Sequence, residues 1–76
     1  MTATRSYTIQ LRPEPEGGFT VRVPALPEVV TYGTDEEEAL VMAREAIELA
    51  IDVRREEGDE IPDDVAPLTR TISIAA

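Results

Sequence analysis

Carboxylates are the side chains through which this sequence could do chemistry. Its 76 residues include 16 aspartates and glutamates but no histidine and no cysteine. This composition excludes disulfides, Ser-His and Cys-His nucleophile pairs, and metal sites built from thiolate or imidazole. Two runs of adjacent acids could offer oxygens to a divalent cation, and they are Glu36, Glu37, Glu38 and Asp63, Asp64. We interpret both runs as solvated carboxylates, and we expect no catalytic residue, no metal and no cofactor.

The negative charge lies in one part of the chain. Residues 35–64 contain 13 of the 16 acids against three arginines, whereas residues 1–34 contain three acids and three arginines. A concentrated acidic surface repels nucleic acid and anionic membranes and attracts basic proteins. The charge pattern therefore predicts a basic protein partner, with no binding of nucleic acid or membrane by this chain alone.

Four of these acids have the spacing of one helical face. They are Glu45, Glu48, Asp52 and Glu56. Like charges four residues apart on a helix repel each other, at a cost of about 0.2–0.5 kcal/mol per pair. The face is either an ordinary solvated surface or an electrostatic docking surface, and these four residues are the candidate partner-binding site.

The spacing of apolar residues changes along the chain, and it predicts the strands and the helix that position these acids. Polar and apolar residues alternate over residues 6–12, 19–23 and 68–74, and a shorter apolar segment covers 29–32, so four strands are predicted. Gly17 and Gly18 favour a tight hairpin turn between the first two strands. Pro24 and Pro27 predict a stiff connection before the third.

A helix is predicted over residues 35–57. Its start has two candidate caps, Thr34 with Glu37 or Asp35 with Glu38, and Gly58 is suited to its end. A seam of four alanines marks the face toward the sheet, at positions 39, 43, 46 and 50. Apolar residues flank the seam on both sides, so the apolar part of the helix surface covers an arc of roughly 200°. A helix that packs against a single core needs an apolar arc of about half that width. Either loop residues such as Ile61 and Val65 cover the excess, or a subunit or partner does.

The element order predicts a small α+β domain. A three-stranded antiparallel meander followed by a helical crossover would make the fourth strand parallel to the first, giving the sheet order 3-2-1-4 with the helix on one face. So short a chain buries a modest core. We therefore expect self-association, with a dimer first. No apolar stretch reaches membrane-spanning length and no secretion signal is evident, so a cytoplasmic location is expected.

Several short motifs, in order, resemble the HicB-like antitoxins. The matching residues are Tyr7; Glu16, Gly17, Gly18, Phe19; Val23, Pro24, Ala25, Leu26, Pro27; Thr31, Tyr32, Gly33; Glu37, Glu38, Ala39, Leu40; Ala43, Glu45, Ala46, Ile47; and Gly58, Ile61, Pro62. The chain departs from the family pattern at Glu28, where glycine is common, and at Asp35, where threonine or serine is usual. Many members continue into a DNA-binding segment. We expect residues 1–76 to form one HicB-like domain without a C-terminal DNA-binding domain.

The resemblance implies a fold and a function. The fold is a partly degraded ribonuclease-H-like module, and the function is non-enzymatic neutralisation of a small basic HicA-type toxin that cleaves mRNA. Two alternatives remain open. One is an orphan homo-oligomeric domain without a toxin, and the other is a metal-dependent nuclease, which would need converging carboxylates. Neither the first nor the fourth predicted strand contains an acid.

Overall fold

Three antiparallel strands precede a single helix. The computed structural model describes residues 4–76, with β1 (Gln10–Pro13), β2 (Phe19–Arg22), β3 (Val30–Gly33) and α1 (Glu36–Glu57). The strand order is β1-β2-β3, and both pairs are antiparallel. The small α+β architecture of a meander followed by a helix is therefore confirmed.

Glycines shape the hairpin between β1 and β2. Gly17 and Gly18 have φ values of 106° and 78°, which only glycine adopts readily. The amide of Gly17 donates to the carbonyl of Glu14, and the Tyr32 hydroxyl donates to the carbonyl of Gly17 over 2.9 Å. A side chain at Gly18 would collide with the Tyr32 ring. The predicted tight turn is present, and Tyr32 secures it.

The segment between β2 and β3 contributes to the core instead of only connecting strands. The amide of Leu26 donates to the carbonyl of Val23, and the amide of Val29 donates to the carbonyl of Leu26. These turns direct the Leu26 side chain inward, where it is fully buried together with Val23 and Val29.

The helix packs on the sheet through its alanine seam. Ala39 and Ala43 are buried against Val21, and Ala46 and Ala50 pack against the Leu26 cluster. A Cβ at Gly33 would lie 2.3 Å from the amide nitrogen of Ala39, so glycine there allows the closest approach of α1 to β3. Small residues on both elements set the short distance between helix and sheet.

The helix termini select one of the two caps. Asp35 Oδ1 accepts the amide of Glu38 at 2.7 Å, while Glu38 Oε1 accepts the amide of Thr34 at 2.9 Å. This pairing resembles a capping box, although the glutamate reaches one residue further back than usual. Gly58 ends the helix in the left-handed conformation.

The predicted fourth strand and the order 3-2-1-4 are not confirmed. Residues 68–74 pair with no strand, and the side chains of Leu68, Ile72 and Ile74 are about four-fifths exposed, at 83%, 82% and 78%. β2 does lie between β1 and β3, but the outer edge of β1 is unpaired within residues 4–76. The ribonuclease-H-like topology, which includes that fourth strand, is likewise not confirmed. Alternation showed that residues 68–74 have an apolar side, but it could not show which edge would cover it.

The first strand is also shorter than predicted. Pairing begins at Gln10, opposite Arg22, whereas the alternation began at Ser6. The stretch before Gln10 still contributes Tyr7 and Ile9 to the core. These residues lie beyond the end of β2, so they pack without pairing.

Candidate functional site

The four acids predicted as a partner-binding site share the outer face of α1. Glu45, Glu48, Asp52 and Glu56 are all exposed, and they project away from the buried alanine seam. None of the four forms a hydrogen bond or an ion pair with any residue from Thr4 onward. Their charges are directed to solvent, so a partner could reach all of them without unfolding the domain.

Exposed apolar side chains border this acidic stripe. Leu49 is 65% exposed and Val53 is 42% exposed, one helical turn apart, beside Glu45 and Glu56. Val65, one of the loop residues considered as a cover for the wide apolar arc, is itself 54% exposed. An apolar patch beside charged side chains has the composition of a protein–protein interface, with a dry centre and a polar rim. We call these six residues, the four acids with Leu49 and Val53, the helix surface.

A shallow groove runs along the other side of the stripe. Its walls are the stretch from Thr4 to Tyr7 and the helix, with Ile47 and Ile51 at its base and Arg44, Arg55, Glu48 and Asp52 at its rim. Both signs of charge line the groove, so its chemistry suits polar contacts and not proton transfer by an isolated acid. It extends the helix surface toward the N-terminal stretch.

One residue of each acid run considered for metal binding makes contacts that support the fold. Asp64 accepts the amide and the hydroxyl of Thr8 at 2.8 and 2.7 Å, and the Thr8 amide is the main reason that the pKa of Asp64 is lowered. Glu38 belongs to the helix cap. Within residues 4–76 no three acidic side chains converge in a way that could hold a metal ion.

Two further carboxylates are held by arginines. Glu28 accepts two hydrogen bonds from the Arg54 guanidinium, at 2.9 and 3.0 Å, and these lower the pKa of Glu28. Glu14 accepts from Thr20 and Arg12, and its pKa is lowered chiefly by the Thr20 hydroxyl. The first pair ties the end of α1 to the loop before β3. Nothing in the sequence pattern identified the pairing of Glu28 with Arg54, because the two residues are 26 positions apart along the chain.

The sheet face away from the helix is mainly polar. The cross-strand register aligns Gln10 with Arg22 and Val30, and Arg12 with Thr20 and Tyr32. Arg12 is already engaged by Glu14 at 2.9 Å. This face therefore offers only scattered positive charge.

Comparison with known proteins identifies the family. The model of the HicB-like antitoxin of bacterial toxin–antitoxin systems matches residues 6–75. The chain belongs to the HicB-like antitoxin family. The predicted resemblance is confirmed, and it covers the acidic helix as well as the C-terminal segment.

Individual relatives agree with this assignment. This HicB-like chain is 41% identical over 56 residues to antitoxin HicB 1 of Photorhabdus laumondii, and 38% identical over 56 residues to antitoxin HicB of Escherichia coli. Each alignment covers 74% of this chain but only 36% and 41% of those antitoxins. A UPF0150 protein of Thermoplasma acidophilum is 37% identical over 60 residues, covering 79% of this chain and 87% of that protein.

The structure also bears on the expectation about membranes. Within residues 4–76, α1 is too polar to cross a bilayer.

Proposed function

We propose that this HicB-like domain neutralises a small basic HicA-type toxin by binding it through the helix surface. Antitoxin family membership implies a toxin partner in general, and the resemblance supplies the class that cleaves mRNA. A toxin that binds RNA needs positive charge, because phosphate contacts dominate such affinity. The acidic stripe complements that charge.

One observation carries the proposal. Glu45, Glu48, Asp52 and Glu56 are all exposed and have no partner among residues 4–76, even though their mutual repulsion works against the helix. Complementary charge at an interface accelerates association and favours the correct partner more than it adds affinity. The neighbouring Leu49 and Val53 would supply apolar area that is removed from water in the complex.

We further propose that neutralisation is non-enzymatic and takes place in the cytoplasm, where the mRNA substrate of such a toxin is found. In the two acid runs, the Glu38 carboxylate accepts the Thr34 amide and the Asp64 carboxylate accepts the Thr8 amide, while the remaining acids are exposed. A two-metal nuclease would need carboxylates arranged around a pair of cations. Masking the toxin's RNA-binding surface requires no catalytic group.

The first experiment tests the antitoxin function itself. A neighbouring short basic reading frame with a catalytic histidine would be expressed with and without this chain. Growth arrest by the toxin alone, relieved by co-expression together with a purified complex, is expected. Unrelieved arrest, or the lack of any such reading frame, would favour the orphan homo-oligomeric domain.

The second experiment tests the acidic stripe. Replacing Glu48 and Asp52 by glutamine should leave the far-UV circular dichroism unchanged, because it removes like-charge repulsion. Association with the toxin should slow by roughly tenfold at low salt and lose much of its salt dependence. Stopped-flow kinetics at two ionic strengths would measure both effects.

A matched pair of acids away from the stripe provides the control. Glu16 lies in the hairpin turn and Glu60 lies beyond the helix, and both are exposed. Replacing both by glutamine changes the net charge by the same amount. If the control pair slows association as much as the Glu48 and Asp52 pair, net charge alone is responsible. If neither pair does, the stripe is a solvated face and the toxin binds elsewhere.

A further inference from the structure

The C-terminal segment has the pattern of a strand but lies outside the sheet. From Asp59 to Ala76 the chain contains no helix, turn or bend. Leu68, Ile72 and Ile74 alternate with Thr69, Thr71 and Ser73. Arg70 lies on the same side as the aliphatic residues, and all seven side chains are exposed. When the large aliphatic side chains of an alternating segment remain in water, the segment has an apolar side against which no other residue packs.

This segment leaves the body beside β1. Two contacts fix the chain just before it: the Tyr7 hydroxyl donates to the carbonyl of Pro62 at 2.6 Å, and Thr8 holds Asp64 through two hydrogen bonds. Pro67 then lines a surface depression together with Gln10, the first residue of β1, and with residues at the end of β2 and in the loop that follows it, among them Arg22 and Pro24. The segment therefore begins near the end of the sheet at which β1 starts, and residues 68–74 then pair with no strand and remain exposed.

The outer edge of β1 is open to a strand. Within the described residues β1 pairs only with β2, so one row of its backbone N–H and C=O groups has no sheet partner. Its inward side chain, Leu11, is only half-buried. An added strand would satisfy the backbone groups and cover Leu11 with aliphatic side chains.

The shape of the molecule indicates that the segment reaches outward. The Cα radius of gyration is 14.8 Å and the longest dimension is 52 Å, whereas a compact chain of this length has a radius near 11 Å. Nine extended residues, 68–76, span about 30 Å, which exceeds the roughly 13 Å length of a four-residue strand. The segment is long enough to cover the β1 edge of a neighbouring molecule.

We propose that residues 68–74 of one molecule add as a fourth strand to the outer edge of β1 in a second copy of this chain, and that the exchange is reciprocal. Each segment leaves its own molecule near the start of β1, and it would pair with the β1 edge of the other copy. A two-fold axis close to β1 therefore allows both segments to pair at the same time. Residues 65–76 contain no acid and one arginine, Arg70, so the exchange brings no acidic segment against another. The family match extends to residue 75, which places the segment within the domain.

The first test is the oligomeric state of the full chain and of matched variants. Sedimentation equilibrium should give twice the chain mass at high micromolar concentration. Replacing Ile72 and Ile74 by asparagine should raise the dimer dissociation constant by about a hundredfold, since two large aliphatic side chains lose their cover. Replacing Thr71 and Ser73 by asparagine, on the other side of the same segment, should change it by less than about threefold.

A second measurement distinguishes exchange between copies from docking within one chain. Mixing ¹³C-labelled with unlabelled protein should give intermolecular NOEs from the Ile72 and Ile74 methyls to the Leu11 methyls. Deuterium exchange of the amides in residues 68–74 should slow as the protein concentration rises.

Four outcomes would overturn the proposal. They are a monomer at high micromolar concentration, protection that is independent of concentration, intermolecular NOEs to Val30 or Tyr32 on β3, or a dimer that the asparagine variant leaves intact. The last would indicate an interface elsewhere, such as Leu49 and Val53 on the helix surface. All four can be observed whether or not a toxin exists, because no partner protein is present in the samples.

Discussion

At Leu26 the chain places its largest fully buried side chain in a loop between two prolines. The sequence indicated only a stiff connection there. Two backbone hydrogen bonds, from the amides of Leu26 and Val29, instead turn the segment inward. Leu26 therefore belongs to the core of the domain.

Replacing Leu26 by alanine should lower the free energy of unfolding by about 2–5 kcal/mol, because it leaves a cavity among Val23, Val29 and the helix. Urea denaturation followed by circular dichroism would measure the loss. Val30→Ala is the control, since Val30 is 52% exposed and should cost under about 1 kcal/mol. Equal costs at the two positions would mean that Leu26 is not the centre of the core.

At the scale of elements, local chemistry determines the helix termini more sharply than the strand ends. The sequence left two caps possible, and the structure selects Asp35, whose carboxylate accepts the amide of Glu38 at 2.7 Å. The strands differ, because β1 begins at Gln10 only where β2 is present to pair with it. A cap depends on residues within one turn, whereas a strand depends on a partner that is distant in sequence.

Asp35→Ala should destabilise the protein by about 1 kcal/mol, the usual cost of losing an N-cap side chain. Thermal unfolding would measure the change. Thr34→Ala is the matched control, because the Thr34 backbone amide that donates to Glu38 remains in that variant. A larger loss at Thr34 than at Asp35 would show that the other cap operates in solution.

At the scale of the whole molecule, charge separates the helix from the sheet. Acids cover the outer face of α1, while the open sheet face carries Arg12, already paired with Glu14, and Arg22. The formal net charge is −9. Neither surface resembles the continuous basic stripe through which proteins bind phosphate backbones.

We therefore predict that this chain alone binds neither DNA nor RNA at about 0.15 M salt, because phosphate contacts dominate such binding. Electrophoretic mobility assays with duplex DNA and single-stranded RNA at micromolar protein would test this. A charge-reversed variant, with Glu48 and Asp52 replaced by arginine, indicates how sensitive the assay is to the helix surface. Retarded migration with the unaltered chain would contradict the prediction and indicate a role in gene regulation.

The sequence by itself determined the features that depend on short range. Alternation predicted the first two strands, a short apolar segment predicted the third, period 3.6 predicted α1, glycines predicted the first turn, and spacing placed four acids on one exposed face. Only the tertiary structure decided how distant segments meet: Leu26 in the core, Asp64 on Thr8, Glu28 on Arg54, and residues 68–74 outside the sheet. The physical reason is that periodicity reports which side of a segment avoids water, whereas the atoms that cover that side come from elsewhere in the chain or from another molecule.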